Sequence, residues 1–60
     1  MKKTWAGDTI RMARKASGLT QEELANFLEI PKRTIEDWER GTRTPPSYVA
    51  VLIRYRLLGY

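Results

Sequence analysis

Leu19-Thr20-Gln21-Glu22-Glu23-Leu24 is the stretch of sequence that decides the fold, because it carries the signals of a helix start. The Thr20 hydroxyl can accept a hydrogen bond from the backbone amide of Glu23, and the Glu23 carboxylate can accept one from the amide of Thr20. This reciprocal arrangement is a capping box, and Leu19 against Leu24 adds a hydrophobic staple around it. A helix is therefore predicted to begin directly after Thr20.

The sequence on either side of this stretch predicts three more helices. Pro31 ends the helix by about residue 29, because the position before a proline disfavours helical geometry. Asp8 or Thr9 is expected to cap the first helix, while Gly18 and Gly41 end the first and third. The predicted helices span about residues 8–17, 21–29, 32–40 and 47–58, and no stretch has the pattern of a strand. The fold class is therefore all-α, with residues 1–60 as one four-helix domain.

Composition restricts what so short a chain can do. The 60 residues contain no cysteine and no histidine, so disulfides, thiolate sites and imidazole ligands are excluded. We expect no metal, no cofactor and no enzymatic activity, because the usual catalytic side chains and a phosphate-cradling glycine loop are missing. Eleven Lys and Arg face seven Asp and Glu, a net charge of +4 that favours an anionic partner. Nucleic acid is the leading candidate and a membrane surface the second.

The third predicted helix has one face that is wholly charged. At about 100° per residue, its charged side chains fall within an arc of roughly 140°. They are Lys32, Arg33, Glu36, Asp37 and Arg40. The opposite side holds Thr34, Ile35, Trp38 and Glu39. Such a face is either ordinary solvated surface or a surface that contacts a charged partner.

Two runs of sequence resemble the Cro/repressor-type (XRE) helix-turn-helix family. They are residues 19–25, Leu-Thr-Gln-Glu-Glu-Leu-Ala, and residues 30–41, Ile-Pro-Lys-Arg-Thr-Ile-Glu-Asp-Trp-Glu-Arg-Gly. The resemblance covers about residues 10–46. It implies a compact repressor-like domain, here lacking the usual fifth helix, whose third helix lies in the major groove of double-stranded DNA.

The resemblance and the chemistry of the side chains together assign the candidate contacts. Base contacts are expected from Lys32, Arg33, Thr34, Glu36 and Asp37. Phosphate contacts are expected from Gln21, Arg40, the Gly41 amide, Thr42 and Arg43. Arg14 and Glu39 are expected to form a structural ion pair between the first and third helices. Each stands on an otherwise apolar face, where an unpaired charge would be costly.

Two of these assignments stay open between alternatives. Glu36 and Asp37 could accept hydrogen bonds from cytosine amino groups. They could instead pair locally, because Lys32–Glu36, Arg33–Asp37 and Glu36–Arg40 are all spaced i,i+4. Pro31 stands where the family often has a capping serine or threonine, which weakens the start of the third helix.

The last predicted helix has almost no polar face. Its core-facing stripe is expected to be Tyr48, Val49, Leu52 and Ile53. A homodimer interface is expected through Val51, Tyr55 and Leu58, because an apolar surface left over marks an interface. Trp5 is expected to pack across this helix.

These features favour a sequence-specific transcriptional regulator, a repressor acting as a homodimer. The alternatives are an antitoxin-type module whose last helix contacts a partner protein, and a DNA-targeting fragment of a transposase or phage assembly. Met1-Lys2-Lys3 resembles the start of a signal peptide, but Asp8, Arg11 and Arg14 interrupt the apolar run that must follow. We therefore expect a cytoplasmic protein without a membrane segment.

Overall fold

The structure, a computed structural model, describes residues 4–60, so the basic Met1-Lys2-Lys3 start lies outside the described residues. The described part contains helices α1 (Trp5–Ala16), α2 (Gln21–Leu28), α3 (Lys32–Arg40) and α4 (Ser47–Leu58). The predicted all-α class is confirmed by this architecture. Over residues 4–60, no helix has both the length and the apolar character needed to span a membrane.

The start of α1 differs from the prediction. The helix begins at Trp5 rather than near Asp8, and the Thr4 side chain caps it by accepting from the Gly7 amide at 3.0 Å. Expecting Asp8 or Thr9 to be the cap was therefore wrong. Ala6 is buried, so the apolar pattern of the helix extends one turn further back than the sequence suggested. Gly18 follows the helix in the left-handed conformation, as predicted.

The predicted capping box at the start of α2 is present. The Glu23 amide donates to the Thr20 hydroxyl at 3.1 Å, and the Thr20 amide donates to the Glu23 carboxylate at 2.8 Å. In contrast, α3 starts at Lys32, and Pro31 at its N-cap position provides no side-chain cap. Gly41, at φ +91°, ends α3 in the left-handed conformation that glycine adopts readily. The two central helices thus have the predicted boundaries within a residue.

The core lies where all four helices meet. Ile10, Leu24 and Ile35 are fully buried, one from each of the first three helices, and Leu19 packs against them at the edge. These side chains fix α2 and α3 against α1, and α3 can therefore carry a polar outer face without losing its anchorage.

Helix α4 turns a different stripe to the core from the one predicted. Ala50 and Ile53 are buried and Val49 packs beside them, but Tyr48 and Leu52 are 67% and 55% exposed. The expected stripe was wrong at those two positions. Because apolar residues occur on every side of α4, its sequence gives no preferred core-facing side, and the structure places the small Ala50 in the core.

Gly7 sets how closely α1 approaches α3. A Cβ atom added to this glycine would lie 2.2 Å from the backbone carbonyl oxygen of Trp38. No side chain fits in that gap, so the glycine allows the backbones of the two helices to touch. This contact fixes the position of the carboxyl-terminal half of α3.

Candidate nucleic-acid interface

The amino-terminal turn of α3 is exposed and basic. The Lys32 and Arg33 side chains are 50% and 82% exposed, while Thr34 beside them is half-buried. Pro31 contributes no side-chain cap, so the positive end of the helix dipole is not covered by a side chain from that residue. Ile35 is buried directly behind this turn. The inner side of this turn is therefore held in the core by Ile35, while its two cations are exposed to solvent.

Asp37 does not share the exposure of the other charged residues on α3. Only 8% of the residue is exposed, whereas the sequence placed it on the outward face. Its carboxylate lies 3.7 Å from the Nε atom of Arg33 and 3.9 Å from the Nε atom of Arg43. Asp37 is covered because the connector between α3 and α4, residues 41–46, folds back over this part of the helix.

The carboxyl end of α3 uses the backbone amides of that connector. The Asp37 carbonyl accepts from the amides of Gly41 and Thr42 at 3.0 Å each, and from the Arg43 amide at 3.3 Å. The Gly41 amide, expected from the sequence to contact a phosphate, is therefore already engaged within the protein. The Arg43 side chain is 77% exposed and extends from the same connector into solvent.

Arg14 and Glu39 lie together as a two-bond ion pair. Arg14 donates from Nε to Oε2 at 2.7 Å and from Nη2 to Oε1 at 2.8 Å. Its Nη1 atom also donates to the Leu19 carbonyl at 2.9 Å. The side chains are 12% and 4% exposed, and the hydrogen bonds to Glu39 raise the pKa of the Arg14 guanidinium despite its partial desolvation. The pair ties α1, the α1–α2 turn and α3 together.

Two further side chains meet Glu39. The Gln21 amide donates to Oε1 of Glu39 at 3.3 Å, and Arg11 donates from Nη2 to the Glu39 backbone carbonyl. Arg11 also lies 3.2 Å from the Asp8 carboxylate. Sequence reasoning missed Arg11, although its i,i+3 spacing from both Asp8 and Arg14 placed it on the same side of α1. The phosphate-contact candidate Gln21 is thus held against the recognition-helix candidate α3.

An open polar cleft runs between α1, α2 and the outer side of α3. It is lined by Arg11, Gln21, Glu36, Glu39 and Arg40. Lys32 lies 3.9 Å from Glu36, but within residues 4–60 no ion pair joins Glu36 to Arg40. The cleft therefore brings together Gln21 and Arg40, the two phosphate-contact candidates that lie on helices.

A second surface, around α4, exposes several apolar side chains. Val51 and Tyr55 are 39% and 61% exposed, whereas Leu58 is half-buried. Trp5 is also exposed, at 57%. The Arg56 guanidinium lies 5.0 Å from the centre of the Phe27 ring. Beside them is an apolar groove lined by Leu28, Ile30, Trp38, Val49, Leu52, Ile53 and Arg56.

Within residues 4–60, there is no group of three or more acidic side chains that could hold a metal ion.

Comparison with known proteins gives one match. A family model described as helix-turn-helix matches residues 10–53, which include all of α2 and α3. The matched region is most of the chain, and the family is one of DNA-binding regulators of the Cro/repressor (XRE) type. No curated protein and no solved structure matches the chain significantly.

Proposed function

We propose that this chain, which belongs to the Cro/repressor-type (XRE) helix-turn-helix family, is a sequence-specific transcriptional repressor that reads the major groove with α3. The observation that carries the proposal is the amino-terminal turn of α3, where exposed Lys32 and Arg33 stand on a helix anchored by Ile35. A recognition helix directs its amino-terminal side chains at base edges, so these two cations are placed for readout.

The chemistry of these residues divides them into two roles. Arg33 and Lys32 can donate to the O6 and N7 atoms of guanine, which is the commonest specific contact in the major groove. Gln21 at the start of α2, Arg40 at the end of α3 and Arg43 on the connector suit phosphate oxygens, which fix register without reading sequence. Thr34 and Glu36 complete the candidate base-contacting surface. Thr42 completes the phosphate-contacting one, and Gly41 provides the turn.

We assign dimerisation to the apolar outer side of α4. Val51, Tyr55 and Leu58 form its centre, with the exposed Tyr48 and Leu52 alongside. A symmetric pair of domains would bind an inverted repeat whose half-sites lie about one helical turn apart. Such a protein would repress transcription from a promoter containing that repeat, in the cytoplasm and without a cofactor.

Selection of bound duplexes from a random pool tests sequence-specific binding. We expect an inverted repeat to be enriched. Arg33→Ala should weaken binding by about 1–3 kcal/mol and relax the preference at one position of each half-site. Lys15→Ala is the matched control, because it removes an equal charge from an exposed position of α1 that has no assigned contact. A pool with no enriched sequence, or equal losses in the two variants, contradicts the proposal.

Sedimentation equilibrium tests the dimer separately. Tyr55→Lys should give a monomer, because it places a charge in the centre of the proposed interface. Met12→Lys, which also replaces an exposed apolar side chain but on α1, should leave the dimer intact. If both variants match the parent protein, the dimer does not form through α4.

The apolar groove favours a second candidate function, an antitoxin-type module that binds a partner protein through α4. An open groove with Trp38 and Leu52 in its walls can accept an apolar segment of another chain. This candidate is compatible with DNA binding. A stable homodimer of the purified chain that covers the same groove would count against it.

A further inference from the structure

The Asp37 carboxylate lies between two arginines from different segments of the chain. Its Oδ1 atom is 3.7 Å from Nε of Arg33 on α3, and its Oδ2 atom is 3.9 Å from Nε of Arg43 on the connector. The Asp37 side chain is only 11% exposed, whereas those of the arginines are 82% and 77% exposed. One covered carboxylate therefore faces the inner nitrogen of each of two solvated side chains.

The backbone of Asp37 holds the same two segments together. Its carbonyl accepts amides from three consecutive connector residues, of which Arg43 is the last. The connector is thus fixed to α3 at Asp37 through the main chain, and the Arg43 side chain returns to the same residue. A shift of the connector would have to break these hydrogen bonds and the ion pair together.

We infer that Asp37 is a positioning residue, which aligns Arg33 and Arg43 with each other before DNA is bound. The inference rests on the proposed function, in which Arg33 reads a base and Arg43 contacts a phosphate. A long arginine side chain loses rotamer freedom when it binds, so holding its inner part in place beforehand raises affinity and specificity. One carboxylate then positions both the side chain that reads a base and the side chain that fixes the register of the protein on the DNA backbone. Its burial disfavours direct contact between Asp37 and cytosine.

The isosteric substitution Asp37→Asn separates three roles. If the carboxylate only repels phosphates, its removal raises the net charge and every duplex binds more tightly. If Asp37 reads a base, the preference changes at one position alone. A positioning role predicts a different pattern. The ratio of specific to non-specific affinity falls by about two- to fivefold, which is the range expected for exposed ion pairs. The loss arises because both the Arg33 contact and the Arg43 contact are weakened.

The first measurement needs no DNA. Side-chain ¹⁵N relaxation of the arginine Nε–H groups is compared in the parent protein and in Asp37→Asn. We expect Arg33 and Arg43 to become more mobile in the variant, while Arg54, whose Nε donates to the Tyr60 carbonyl at 2.8 Å, stays unchanged as the internal control. Equal mobility of Arg33 and Arg43 in both proteins would overturn the inference.

The second measurement is a double-mutant cycle on the selected duplex. Arg43→Ala should weaken binding about two- to fivefold more in the parent protein than in the Asp37→Asn variant. Equal losses in the two backgrounds refute the positioning role. Failure of every protein to bind any duplex refutes the proposed function instead, and the relaxation result still decides whether Asp37 orders the arginines. Should Asp37→Asn not fold, a cycle between Arg33→Ala and Arg43→Ala replaces it, and additivity there refutes the inference.

Discussion

Replacing Arg14 by Met should remove a large part of the stability of this domain. The substitution keeps an unbranched apolar chain of similar reach but deletes the hydrogen bonds of 2.7 and 2.8 Å to Glu39. Glu39 is 4% exposed, so its carboxylate would be left with Gln21 at 3.3 Å and Arg11 at 3.7 Å. Breaking a buried ion pair costs about 3–5 kcal/mol. We expect about 3 kcal/mol, because Arg11 remains near the carboxylate.

This loss is large for a chain of this size. A 60-residue domain has a total unfolding free energy of about 3–9 kcal/mol. The loss corresponds to a fall in Tm of about 12–24 °C. Glu39→Met should cost a similar amount, since it leaves the Arg14 guanidinium, 12% exposed, without its acidic partner. The double variant should lose much less than the sum of the two single losses, because two apolar side chains replace the pair and no buried charge is left without its partner. The remaining cost comes from the Leu19 carbonyl and the Gln21 amide, which each lose a hydrogen bond, and from Arg11, which loses a nearby carboxylate.

Urea unfolding followed by circular dichroism at pH 7 measures all four proteins. The slope of the unfolding free energy against urea concentration should be the same for all four proteins. A constant slope indicates that the substitutions change stability without changing the surface exposed on unfolding. If Arg14→Met costs less than about 0.5 kcal/mol, the pair is an ordinary surface contact. If the double variant loses the sum of the two single losses, the residues act independently. Either outcome refutes the role assigned to the pair.

Three further predictions concern the scaffold. Gly7→Ala should lower stability by about 1–2 kcal/mol in urea unfolding, because the new Cβ meets the Trp38 carbonyl oxygen and the strain exceeds the gain in helix propensity. An unchanged midpoint would show that α1 and α3 are not in contact there. Thr20→Ala should lower Tm by about 4–8 °C through loss of the cap to Glu23; Thr20→Ser, which keeps the hydroxyl, should restore most of it. The raised pKa of Arg14 means that its stabilising charge is complete below the unfolded-state pKa and is lost only as pH rises through the higher folded-state pKa. The stability difference between the parent protein and Arg14→Met should therefore stay constant from about pH 7 to pH 10, and a decline within that window would contradict the pKa shift.

Most of the helical architecture was predictable because its signals are local. The capping box at Thr20 and the left-handed Gly41 act within a few residues, and both mark boundaries that the structure has. The start of α1 was missed because Asp8 and Thr9 are also good caps in isolation. Burial of Ala6 in the assembled core favours the earlier cap at Thr4, and that is a tertiary effect.

The candidate site was predictable where helix geometry alone decides exposure. Arg33 is exposed, as its position on the helix requires. Asp37 is covered by the connector, and the path of that connector cannot be predicted from helix periodicity. The same limit applies to α4, where apolar residues on every side give no preferred face. Tyr48 was expected inside for this reason, yet the structure turns the small Ala50 inward.

The charges of α3 argue that this protein depends on geometry more than on net attraction. The helix carries three basic residues, Lys32, Arg33 and Arg40, and three acidic residues, Glu36, Asp37 and Glu39, so its formal charge is zero. Each carboxylate has a cationic partner: Glu36 has Lys32, Asp37 has two arginines and Glu39 has Arg14. The other cation proposed to contact phosphate, Arg43, lies outside α3, on the connector. A neutral helix gives weak non-specific binding, because sequence-independent affinity follows the number of phosphates neutralised. With Arg40 and Arg43 as the phosphate-contacting cations, log K should fall by about two units per decade of salt for each domain. Specificity is then favoured over affinity, since a misplaced Arg33 has little general attraction to compensate for a wrong base.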